Sequence, residues 1–149
     1  MYRDPDVFAL DLVHVWHREW VFAGLVCELA EPGDYLTLQV GDFPLLVIRG
    51  GDGELRALHN VCRHRGSVIC EEANGRAGRR VVCPYHQWTY DLAGRHVGGR
   101  SMPTGVDPAE LGLRAAHCAT IGGLTLGRAT VTVAGRQGPT TVFDVSVEP

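Results

Sequence analysis

The sequence predicts a mostly β domain, an antiparallel sandwich or small barrel preceded by one helix. Three observations predict it. Apolar residues in the first 22 positions recur at helical spacing, whereas after residue 34 they alternate with a period of two. Short β-branched and aromatic runs then repeat, each ended by a Gly, Pro or Asp turn. The 149 residues, 45% apolar and 21% charged, suit one globular domain with its own core.

Residues 4–22, DPDVFALDLVHVWHREWVF, carry apolar side chains at 8, 12, 15, 16 and 20. That spacing predicts an amphipathic helix, with Asp4 as N-cap and Pro5 in the first turn. Trp16 and Trp20 lie four residues apart and mark its expected buried face. EPGD (31–34) is a turn. YLTLQV (35–40), PLLVIR (44–49) and ELRALHN (54–60) are the expected strands, separated by GDF and GGDG turns. Residues 63–80 read as loop. VVC (81–83) and TYDL (89–92) belong to a further hairpin, with a turn at AGR. Residues 97–109 read as loop again. TIGGLTL (120–126), TVTV (130–133) and TTVFDVSV (140–147) are β-like. There is no internal repeat. The chain divides into a helix and lead-in strand (1–30), a main domain (31–127) and a tail of atypical composition (128–149).

The composition excludes several function classes. Net charge is −3, from 14 basic residues, all Arg, and 17 acidic ones, which argues against a nucleic-acid binder. No run of 18 apolar residues exists, so no membrane span is expected. The N-terminus has acidic residues inside its apolar stretch and no small-residue cleavage site, unlike a signal peptide. The expected compartment is the cytoplasm. Five cysteines, Cys27, Cys62, Cys70, Cys83 and Cys118, form an odd set that argues for metal or free thiols over disulfides.

The chemistry concentrates between 62 and 88, which opens CRHRGSVIC and ends CPYHQW. Cys62 and His64 are one residue apart, Cys83 and His86 two. Two soft thiolates and two borderline imidazoles suit zinc or an iron–sulfur cluster. Zinc fingers space their cysteines together and their histidines together, so mixed pairs fit that pattern poorly. A mixed pair on each of two loops can instead clamp a two-iron cluster from both sides. If both Cys bind one iron and both His the other, the oxidised site sums to zero charge, since two ferric ions and two sulfides give +2 and the thiolates −2. Four thiolates would give −2. Adding an electron to the neutral site costs less, which raises its potential to roughly −150 to +300 mV from about −400 mV.

Cys-x-His with Cys-x2-His resembles the Rieske pattern. NVCRHRG (60–66) and CPYHQWTYDLAGR (83–95) narrow the resemblance to the N-terminal domain of ring-hydroxylating oxygenase α subunits. It begins with DPDVFALDL and REWVFAG, continues through PGDYLTLQVGDFPLLVIRGGDGELRAL, and covers residues 4–114. The resemblance implies a Rieske-type β-sandwich or barrel with a small cluster-binding subdomain, and one [2Fe–2S] cluster. It implies that Cys62 and Cys83 hold one iron, and His64 and His86 the other through solvent-near rings. Gln87 departs from the family's usual Gly. Rieske proteins of cytochrome bc complexes carry two more cysteines, where this chain has Ser67 and Tyr85, and a Ser hydroxyl on the cluster sulfur, where it has Trp88. Losing that hydrogen bond points to the low end of the range, about −150 mV.

The remaining residues read more plainly. His14, His17, His59, His96 and His117 are expected in packing or at the surface. Cys70 is expected to be a buried free thiol, and Cys27 and Cys118 small core residues. Trp88 and Tyr90 should form core under the cluster hairpin. Between 62 and 100 there are seven Arg (63, 65, 76, 79, 80, 95, 100) and three acids (71, 72, 91), +4 locally. That excess is a solvated face or a docking patch for an acidic ferredoxin or reductase.

The resemblance also implies a second domain in which two His and a carboxylate hold an oxygen-activating iron. No His follows residue 117, so this chain shows no such site. The expectation is therefore one-electron transfer by a truncated or split oxygenase α-subunit piece, working with an oxygenase catalytic subunit or domain. The alternatives are a stand-alone Rieske ferredoxin-like carrier, an iron–sulfur redox sensor, and a structural zinc domain. No DNA-binding element supports the sensor.

Overall fold

The computed structural model describes residues 3–100 and 105–128. The expected helix forms over only part of its span. α1 covers Pro5–Asp11 and continues as one π-helical turn, Leu12–Trp16. The Asp4 carboxylate accepts the Asp6 backbone N–H at 3.0 Å, a cap worth about 1 kcal/mol. The chain then extends, and β1 (Val21–Leu25) takes the last residues assigned to the helix. Neither Trp16, 48% exposed, nor Trp20, 39%, forms a buried helix face. Trp20 instead packs edge-on to His117 and under the Arg128 guanidinium.

The three central strands form as expected: β2 (Asp34–Val40), β3 (Phe43–Arg49) and β4 (Leu55–His59). Two short strands fall in stretches read as loop, β5 (Asn74–Arg76) and β8 (His96–Gly98), flanking β6 (Arg80–Val82) and β7 (Thr89–Asp91). After a 3-10 turn at Pro108–Leu111 come β9 (Ala115–Ile121) and β10 (Leu124–Arg128). The run read as one strand at 120–126 is thus a hairpin bent at Gly122–Gly123, both at positive φ (54° and 86°), where only Gly is at ease. The expected strands at 130–133 and 140–147 lie outside the described residues.

Seven strands form one antiparallel sheet, in order β1-β10-β9-β4-β3-β2-β5, and β6-β7-β8 form a second. The large sheet curls. Ala23 of β1 joins Leu36 of β2, Val47 of β3 and Ala57 of β4 in one core. β3 explains its own sequence. Leu45, Leu46, Val47 and Ile48 are all fully buried. Leu45 and Val47 point into the curl, whereas Leu46 and Ile48 point to the second sheet. A strand covered on both faces needs an unbroken apolar run. Each of these side chains contributes about 1.5–3 kcal/mol of burial.

Leu46 and Ile48 meet Val81, Cys83, Trp88, Tyr90 and Leu92 from the second sheet, and Leu58, Cys62 and Ile69 from β4 and the following loop. This second core carries the CRHRG and CPYHQW segments. At the opposite end of the strands the turns interlock. Gly33 (φ 89°) lies so close to Gly78 that any Cβ there would collide with the Gly78 carbonyl.

Candidate metal centre

Each Cys–His pair sits on a loop whose sequence closes it locally. The first leaves β4 at His59 and returns at Cys70. Cys62 N–H donates to the Ser67 carbonyl at 2.8 Å and Gly66 N–H to the Cys62 carbonyl at 2.9 Å, with Val61 bridged to Val68. Gly66 (φ 72°) permits the turn. The second loop runs between β6 and β7. Cys83 N–H donates to the Trp88 carbonyl at 2.8 Å, and Gln87 N–H to the Cys83 carbonyl at 3.0 Å. Gln87 takes φ 61° there, the left-handed conformation that explains the Gly expected at this place.

The two loops bring the four expected residues together, two and two. Cys62 and Cys83 are buried side by side at the floor (3% and 1% exposed). His64 and His86 are half-buried, with ring centroids 4.8 Å apart and edge to face. Both Nδ1 atoms are buried without a hydrogen-bond partner. Orphaned buried imidazole nitrogens are costly unless something binds them, and two such nitrogens on the same two loops as two buried thiols offer a donor set for metal. Among the described residues, no three His, Cys, Asp or Glu gather around one single-ion position.

The electrostatics fit the same donor set. Burial pushes the Cys62 thiol up. The Tyr90 hydroxyl and the His64 backbone N–H act against that, and the neighbouring Cys83 sulfur adds to it. Two adjacent thiolates would need positive charge close by, which a bound metal would supply. Burial, with His86 and Arg65 beside it, holds His64 below the ordinary histidine range, which favours the neutral ring that a metal ligand needs.

Three further residues shape the centre. Trp88, 1% exposed, stacks on the His64 ring (centroids 4.8 Å, 11° between planes), and its indole N–H donates to the Arg100 carbonyl at 2.9 Å. Trp88 thus packs on the His64 ring from within the core, the expected core role. Tyr90, fully buried, accepts the Arg63 backbone N–H at 3.0 Å, and its hydroxyl lies 3.3 Å from Cys62 Sγ. With Cys62 a thiolate, Tyr90 donates. Sequence reasoning missed this sulfur hydrogen bond. The signal was Tyr90 on β7 two residues after Trp88 at its entry, a spacing that in extended chain puts both on one face. His96 was expected in packing. It is buried against both rings, at 4.7 Å from Trp88 and 5.6 Å from Tyr90.

The other cysteines divide. Cys70 is half-buried, its thiol pushed up to about 11 by burial, and Cys118 is half-buried against the curl core. Cys27 is exposed, because the expected core position falls on a 3-10 turn at the surface. Of the seven Arg, Arg76 pairs with Asp34 (2.7 Å) and Arg95 with Asp91 (2.7 Å). Arg63, Arg65, Arg79, Arg80 and Arg100 are exposed.

The Rieske [2Fe–2S] domain family model matches residues 19–114. The chain belongs to the Rieske [2Fe–2S] domain family. It is 46% identical over 123 residues to the glycine betaine monooxygenase oxygenase subunit of Chromohalobacter salexigens, covering 82% of this chain and 27% of that protein. It is 38% identical over 128 residues to the chlorobenzene dioxygenase α subunit of Cupriavidus sp. strain PS12, covering 83% and 28%. Among solved structures, the naphthalene 1,2-dioxygenase of Rhodococcus sp. matches with a TM-score of 0.76 at 31% identity, covering 84% of this chain and 29% of that one. The quaternary ammonium Rieske monooxygenase CntA, in complex with L-carnitine, matches with a TM-score of 0.79 at 29% identity, covering 85% and 36%. This Rieske domain is thus homologous to the N-terminal electron-transfer part of oxygenase α subunits, and the domain's cofactor is one Rieske cluster. The chain spans just over a quarter of the curated relatives it matches. Among the described residues no helix is long and apolar enough to cross a membrane.

Proposed function

We propose that this chain carries single electrons, with Cys62 and Cys83 holding one iron of the cluster and His64 and His86 the other through Nδ1. The observation that carries the reading is the pair of buried, unpartnered Nδ1 atoms on the same two loops as two buried sulfurs. When bound, the cluster supplies a one-electron couple near the low end of the Rieske range. The chain's own residues do the rest. Trp88 fixes the His64 ring and excludes water beneath it. Tyr90 holds the Cys62 sulfur, and His64 and His86 present their Nε2 edges outward, where partner proteins can approach.

The electron enters from a reductase or ferredoxin. The exposed Arg63 and Arg65 flank His64, a charge pattern suited to an acidic donor, so the entry rate should fall as salt rises. The electron leaves to the mononuclear iron of an oxygenase catalytic domain or subunit. A similar solved quaternary ammonium Rieske monooxygenase gives insights into inter-subunit electron transfer, which supports an acceptor outside the donor's own chain. The 46% identity to glycine betaine monooxygenase, against 38% for the chlorobenzene enzyme, favours an oxygenase acting on quaternary ammonium compounds. The test is iron and acid-labile sulfide analysis of the purified chain with electron paramagnetic resonance of its reduced form. Two irons, two sulfides and a Rieske spectrum support the reading. Zinc, or iron without sulfide, ends it.

A further inference from the structure

The two ligand loops are closed by different means. The second spans Cys83 to Trp88, and backbone bonds between Cys83 and Trp88 and between Gln87 and Cys83 close it. The first is longer, and its return limb at Ile69–Cys70 is tied by a side chain. Asn60 is 1% exposed. Its Nδ2–H donates to the Cys70 carbonyl at 2.7 Å, while its Oδ1 accepts the N–H groups of Cys70 at 2.9 Å and Ile69 at 3.3 Å. Its own backbone N–H donates to the Pro44 carbonyl at 2.8 Å, which fastens the clasp to β3 of the large sheet. One amide thus satisfies three backbone groups and sets both ends of the loop that carries Cys62 and His64.

We propose that Asn60 is a positioning residue for the cluster, a noncovalent clasp that holds Cys62 and His64 in ligating register. The inference rests on the ligand reading above. No disulfide is available for the task, since Ser67 and Tyr85 stand where other Rieske proteins place their loop-tying cysteines, and the described cysteines are free. Asn carries an N–H2 donor and a carbonyl acceptor on one neutral planar amide, which matches the two N–H groups and the carbonyl that it meets at Ile69 and Cys70. Leu would fill the same space and leave two buried donors and a buried acceptor unsatisfied, which folding tolerates poorly. Asp would keep the two accepted bonds and set a carboxylate oxygen against the Cys70 carbonyl.

The test compares holoprotein with Asn60, Asn60→Asp and Asn60→Leu. Iron loss to a chelator is followed by bleaching of the visible spectrum, beside the electron paramagnetic resonance of the reduced state. The expected order of loss is wild type, then Asn60→Asp, then Asn60→Leu, with Asn60→Leu faster than wild type by about tenfold or more. The resonance should broaden or shift in the variants, because misplaced ligands change the field at the iron and loss of general stability does not. Hydrogen exchange of the wild-type amides of Ile69 and Cys70 gives a measure that needs no variant to fold, and both should be protected although they lie in a loop. Unchanged loss rates and spectra in variants that hold a cluster, or free exchange of those amides in wild type, overturn the proposal. A wild-type chain with no iron–sulfur cluster would instead remove the ligand reading beneath it.

Discussion

The Cys–His hairpins and the N-terminal helix both carry large apolar residues; the hairpins expose Val68, Val82 and Tyr85 but bury an inward set, and the helix buries none. In the hairpins, Trp88, Tyr90, Val81 and Ile69 are at most 5% exposed. In the helical segment Phe8 and Leu10 are each 58% exposed, and Val13, Val15 and Trp16 are between 45% and 48%. The hairpins have β3 to pack on, whose Leu46 and Ile48 face them. The helix has no such surface among the described residues. An amphipathic repeat therefore specifies a helix without specifying its cover, whereas the ligand segments specify both, because their strand register pairs them within the chain.

The largest effect expected from this contrast concerns metal. Cys83→Ser replaces a soft ligand with a hard, weak one at the buried floor. Iron per chain should fall to background and the Rieske resonance should vanish, while Trp16→Ala leaves both unchanged. Retention of cluster in Cys83→Ser would break the ligand assignment.

Stability should divide in the same way. Trp88→Ala opens a cavity under His64 and should cost about 3–5 kcal/mol, read as a lower midpoint in denaturant. Trp16→Ala, at an exposed site, should stay within about 0.5 kcal/mol. Equal losses would mean the two regions are equally supported.

A subtler effect concerns potential. Tyr90→Phe removes the hydroxyl from Cys62 Sγ. The reduced centre carries more negative charge and gains more from that bond, so its loss lowers the midpoint. A difference of about 1 kcal/mol between the two redox states corresponds to about 40 mV for one electron. Redox titration of the variant checks it, and a midpoint that rises would show that the hydroxyl accepts, not donates, there.

This division also marks what the sequence made legible. The four candidate donors and the central strands β2 to β4 could be picked out directly, because residue type, spacing and period two are local properties. Trp88 and Tyr90 could be placed in the core by the same alternation. The Tyr90–Cys62 and Asn60–Cys70 bonds could not be read, since they join residues 28 and 10 positions apart through a register that only the folded sheets fix. β5 and β8 escaped for a related reason. NGR and HVG are three residues each, too short for periodicity, and exist because a neighbouring strand offers them hydrogen bonds. The helix was read too long and too deep, because Trp16 and Trp20 fit a helical stripe while β10 competes for Val21 and Phe22 as strand partners.

The smallest effect sharpens the comparison most. Phe8→Gln with Leu10→Gln keeps strong helix formers and the Asp4 cap, and removes only exposed apolar surface. If α1 is as uncovered in solution as its exposure indicates, stability should change by less than about 0.5 kcal/mol, a shift of about 2 °C or less for a domain of this size. Iron content and midpoint should not move. Solubility should improve, because a contiguous apolar face drives association. A fall of more than about 5 °C would mean that these two side chains are buried in the isolated chain, by its own residues or by a second copy. Dilution separates those two cases, since a loss that depends on protein concentration belongs to an interface between molecules.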